Sequence, residues 1–67
     1  MNAEKSAGKW MFTVDDNEIF EGTLGACLAC GEEACGVEPD ARRYTCEVCG
    51  AREVYGLEEL LIMGRVV

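Results

Sequence analysis

The sequence predicts a small, metal-stapled, β-rich fold of two β-hairpins and a short C-terminal helix, and three observations predict it. At 67 residues the chain is too short to bury a core that offsets an ordering cost of roughly 1.5 kcal/mol per residue, so a staple is required. Four of its five cysteines fall in two C-x-x-C-G units, Cys27-Leu28-Ala29-Cys30-Gly31 and Cys46-Glu47-Val48-Cys49-Gly50, separated by fifteen residues. That interval suits four thiolates on one metal ion. Elsewhere the apolar residues come in short runs broken by Gly, Asp and Asn, and one segment alone carries helical spacing.

Residues 1–8 are small and polar and are expected to be flexible, which leaves a single domain over 9–67. Residues 9–14 alternate Trp10, Phe12 and Val14 with Lys9, Met11 and Thr13, as a strand with one buried face does. Asp15, Asp16 and Asn17 form a turn, and 18–21 return as a second strand, so 9–22 reads as an N-terminal hairpin. Trp10, Phe12 and Phe20 are then core residues, because so small a domain cannot spare large apolar side chains. In each C-x-x-C-G unit the two-residue spacer lets both sulfurs converge while following amides point at the thiolates, and the glycine takes the left-handed backbone that turns the chain away.

Residues 32–41 lack an amphipathic period and read as a loop, with a turn at Glu38-Pro39-Asp40. Residues 42–46 enter the second cysteine turn as a strand, with Tyr44 over the metal end of the core, and 51–55 leave it as another. Residues 56–64 form the helix: Leu57, Leu60, Leu61 and Met63 make an apolar stripe, Glu58 and Glu59 suit the first turn, and Gly64 caps the end. At about two turns the helix has no independent stability and must pack on its own core or on a partner. Arg65-Val66-Val67 reads as a short edge strand.

The net charge of −7 is unevenly distributed. Asp15, Asp16, Glu18, Glu21, Glu32, Glu33, Glu38 and Asp40 fall in a stretch without a Lys or Arg, whereas four arginines balance four glutamates from Ala41 onward. Such a surface repels a phosphate backbone, so tight nucleic-acid binding is not expected. The first residues hold no apolar run of signal-peptide length, and no stretch approaches the roughly 20 apolar residues of a membrane span. A reducing, cytoplasmic setting without membrane association is therefore expected, in which thiols persist as metal ligands.

The two C-x-x-C-G turns, with strands flanking the second, resemble the knuckles of the zinc ribbon family over residues 23–55. The resemblance implies one structural Zn2+ held by Cys27, Cys30, Cys46 and Cys49. Ribbons serve in transcription, translation, replication and adaptor roles, so it implies a fold rather than an activity. The segment V-E-P-D-A-R-R-Y-T-C-E-V-C-G with V-Y-G-L-E-E-L-L-I-M-G also resembles small phage and bacterial zinc-ribbon proteins. Cys35 departs from the pattern. It reads as a spare thiol packing as a small hydrophobe, as an alternative ligand exchanging with Cys30 or Cys27, or as a nucleophile, the last poorly supported because Glu32, Glu33 and Glu38 surround it.

With no histidine, no phosphate-binding glycine loop and a closed metal shell, the chain is not expected to be an enzyme. The leading expectation is a non-catalytic zinc-binding module for protein–protein contact, using Glu32, Glu33, Glu38 and Asp40 of the acidic loop with Leu57 and Leu61 of the helix. A rubredoxin-like iron electron carrier is the first alternative, although the interval is short for that family and its proline after the first cysteine is missing from both turns. A nucleic-acid accessory ribbon, with Arg42, Arg43 and Arg52 beside Tyr44 and Tyr55, is the second. A homodimer formed at the edge bearing Trp10, Phe12 and Ile19 is a further possibility.

Overall fold

A computed structural model describes residues 1–17 and 22–67. Within them lie the strands β1 (Asn2–Ser6), β2 (Lys9–Thr13), β3 (Leu24–Cys27), β4 (Glu33–Cys35) and β5 (Val54–Gly56) and the helix α1 (Leu57–Ile62); Asp16 and Asn17, expected in a turn, are helical. β1 and β2 form an antiparallel two-stranded sheet, and β4-β3-β5 an antiparallel three-stranded one.

Residues 2–6, within the segment expected to be flexible, form β1, which pairs with β2 from Asn2↔Thr13 to Ser6↔Lys9, so a hairpin spans 2–13. The cause is the two-residue turn at Ala7 and Gly8, whose φ of 51° and 79° are both left-handed. This is the geometry whose twist matches that of the flanking strands. The returning strand expected over 18–21 lies outside the described residues.

Two small cores occupy opposite faces of the three-stranded sheet. Phe12, Ala26 and Leu60 are fully buried on one face, with Trp10, Leu28, Tyr55 and Val66 packed around them. Cys27, Cys46 and Val54 form the other, flanked by Cys30, Ala34 and Val37. The pairing explains the division. Cys27 sits opposite Val54 and Gly25 opposite Ala34, so these side chains share one face, and Ala26 points to the other.

Helix α1 closes the first core through Leu60, and its Leu57 is buried as well. Its N-terminal cap, Gly56, offers no side chain, and the carbonyl of Pro39 instead accepts from the amides of Glu58 (3.0 Å) and Glu59 (3.4 Å). Thus the expected turn at 38–40 also satisfies two of the helix's orphan donors. Glu59 is buried and paired with Arg42 Nε at 2.9 Å. Gly64, at φ 72°, ends the helix with Gly64 N–H donating to Leu61 O and Arg65 N–H to Leu60 O, a Schellman arrangement. Beyond it, Phe12 N–H donates to Arg65 O and Val67 N–H to Phe12 O, both 2.8 Å, forming a parallel bridge between Phe12 and Val66 where an edge strand was expected.

Two further expectations are corrected. Residues 33–35 are a strand rather than loop, because the turn after Cys27 folds the chain back and Cys27 N–H donates to Glu32 O at 2.9 Å, starting the β3–β4 ladder. Residues 42–46 are not a full strand: Tyr44 alone bridges Val54, since the adjoining Arg43 has a left-handed φ of 55° that breaks extended backbone. Among the described residues no helix is long and apolar enough to cross a membrane.

Candidate metal centre

The two cysteine turns are near copies of each other. In the first, Gly31 N–H donates to Cys27 O at 2.9 Å, Gly31 has φ 77°, and Ala29 N–H points at Cys27 Sγ at 3.4 Å. In the second, Gly50 N–H donates to Cys46 O at 2.9 Å, Gly50 has φ 78°, and the amides of Val48 and Cys49 point at Cys46 Sγ at 3.4 and 3.5 Å. Each turn is closed five residues on, by Cys27 N–H to Glu32 O and by Cys46 N–H to Ala51 O. Leu28 N–H donating to Glu53 O at 2.9 Å ties the first turn to the segment leaving the second.

This framework brings together the four predicted ligands. Cys27 Sγ lies 3.7 Å from Cys49 Sγ, Cys30 Sγ lies 3.7 Å from Cys46 Sγ, and all four sulfurs fall within 4.8 Å of one another. None is disulfide-bonded. Four sulfurs held tetrahedrally about 2.3 Å from one ion would lie about 3.8 Å apart, so the cage fits a metal such as zinc or iron with little adjustment.

Thiol acidities record the crowding. Burial, the largest influence, raises Cys27 against amide hydrogen bonds that lower it. At Cys30 the Glu32 amide acts most strongly and lowers the value, yet desolvation and the three neighbouring thiols outweigh it and push it up to about 12. Cys46 runs the other way: the amides of Cys49 and then Val48 stabilise its thiolate and lower it to about 7. Cys46 therefore ionises more readily than Cys27 or Cys30, from which a metal ion must displace protons.

Cys35 stands outside this cluster. It is exposed on β4, with Sγ 4.0 Å from Glu33 Oε2. Of the six residues expected to face a partner, Glu32, Glu33 and Glu38 line a groove beside the metal centre together with Tyr44, Cys46 and Val54. Asp40 is exposed but lies apart from that lining. Leu57 is only 4% exposed and belongs to the core under α1, so it presents nothing to a partner, whereas Leu61 is 49% exposed beside Pro39. Tyr44, expected over the metal end of the core, lines the groove with Cys46, and its hydroxyl donates to the Glu38 carboxylate. That bond lowers the pKa of Glu38 and raises that of Tyr44.

Of the residues expected to form a basic spot with stacking tyrosines, Arg42 is paired with Glu59, and Tyr44 donates to Glu38. Sequence reasoning missed Glu47 and Val48 as lining of the groove, and Trp10 as the residue against the first turn. A Cβ at Gly31 would meet the Trp10 ring at 2.6 Å. No local pattern signals that contact, which joins β2 to a turn twenty residues away.

No protein-family model, curated protein or solved structure matches the chain.

Proposed function

We propose that this protein is a non-catalytic, zinc-stapled module that presents its acidic surface to a protein partner. The observation that carries this reading is the four-sulfur cluster, whose thiolates would fill the tetrahedral shell of one ion and leave no position on it for substrate or activated water. Zinc is favoured because a closed tetrahedral thiolate cage suits a structural ion that takes no part in redox chemistry. The absence of histidine from all 67 residues supports a role without acid–base chemistry. The acidic stretch and the groove beside the cage supply a surface for binding.

Metal analysis on protein purified without added metal tests the first half. One zinc per chain in a colourless protein supports the reading. A red protein with one iron and thiolate charge-transfer bands would replace it by electron transfer, which the same donor set can serve. Affinity capture by the zinc-loaded chain, repeated with its acidic groove neutralised, tests the second half; a partner retained only by the native surface is the expected result.

A further inference from the structure

The sheet face that carries the metal centre also carries a groove of ≈ 470 Å³, within the volume range of ligand-binding clefts. Its apolar lining is Ala34, Val37 and Val54, joined by Val48, which is 68% exposed. Its polar lining is dominated by Glu32, Glu33, Glu38 and Glu47, and no Lys or Arg lines it. Glu38 accepts from Tyr44, and Glu33 meets the terminal amine of Met1 at 3.2 Å. Among the described residues Glu32 and Glu47 have no cationic partner. β4, on one wall, is the edge strand of its sheet, and no described strand pairs with its outer side.

We propose that this groove docks an extended, basic segment of a partner protein. The segment adds alongside β4, and a Lys or Arg side chain crosses onto the sheet face. Its aliphatic stem lies over Ala34, Val37 and Val54, and its cationic head reaches Glu32 and Glu47. Each part of the occupant answers an observed feature: an unpaired strand edge accepts extended backbone, a long cationic side chain matches an apolar floor with a charged rim, and uncompensated carboxylates select the sign. The inference deepens the adaptor reading and rests on it.

The test uses the 15N-labelled, zinc-loaded full chain titrated with an acetylated peptide of alternating Lys and Val, with its Gln and Val counterpart, and with calcium chloride. The basic peptide should give saturable shifts at the amides of 32–38, 44–48 and Val54, weaker as salt rises, and the Gln peptide should give none. The pair Glu32→Gln and Glu47→Gln should weaken binding by about tenfold while keeping the metal and the dispersed spectrum. Asp16→Asn with Glu58→Gln, outside the groove, should leave it unchanged. Equal response to both peptides, shifts spread over all acidic residues, or saturation by calcium with no peptide response would overturn the proposal. Shifts confined to Leu61, Ile62 and Met63 would overturn the groove but leave an adaptor that binds through its helix.

Discussion

Gly31 and Gly50 occupy equivalent places in the two cysteine turns, at φ 77° and 78°, yet their surroundings differ. Nothing lies within 4 Å of a Cβ built on Gly50, whereas one on Gly31 runs into the Trp10 ring. Gly50→Ala should therefore cost only the left-handed backbone penalty of about 1–2 kcal/mol. Gly31→Ala should add a further overpacking cost of about 1–3 kcal/mol. Denaturant unfolding of the metal-loaded variants measures the difference, and equal losses would mean that Trp10 does not pack on the turn. The four ligands were legible in the sequence because C-x-x-C-G is a local pattern with a mechanical reason for every position. The Trp10 contact was not, because only the tertiary fold brings β2 to the first turn.

At the scale of elements, α1 was legible from Leu57, Leu60 and Gly64, and its two exposures separate by experiment. Leu60 is fully buried, so Leu60→Ala should cost about 2–5 kcal/mol, while Leu61→Ala, half exposed, should stay within about 1 kcal/mol. β1 was illegible because all five of its residues are exposed and carry no alternation, and its turn uses Ala7 where Asn or Asp would have signalled. β4 was illegible for a related reason: a three-residue edge strand is defined by the turn that delivers it.

Glu38 ties the loop at 37–41 to Tyr44, the residue bridged to β5, and this contact has a pH signature. The lowered Glu38 group contributes stability above the ordinary carboxylate range and loses it as pH falls through its folded value. The raised Tyr44 group contributes below its ordinary value of 10.0 and loses it as pH rises through its folded value. Tyr44→Phe should thus lower the Tm by a constant amount from about pH 6 to about pH 10, and the gap to the native protein should close above that as tyrosinate forms. Thermal melts of metal-loaded protein across this range check it; a gap that widens with alkali would show that the hydroxyl does not donate to Glu38.

The described residues are organised around a three-stranded sheet, with an apolar core on one face and a sulfur cage on the other, and the β1–β2 hairpin beside it. Among the described residues the first core is closed by a helix of under two turns and a bridge from the last residues to Phe12, and a chain of 67 residues rarely folds on so small a core without a staple. The second is held by thiols that repel shared ionisation until a cation joins them. Binding of a structural zinc by such cages contributes an apparent 10 to 16 kcal/mol, roughly, at neutral pH. The fold as a whole should therefore stand or fall with its metal. The most direct measurement is the dispersion of the 15N–1H spectrum and the Trp10 emission of one sample before and after a strong chelator, with metal content followed by mass spectrometry. Collapse of both signals as one ion per chain is removed, and their return on adding zinc, is the expected result; a dispersed spectrum with unchanged emission in protein shown to be metal-free would contradict the account.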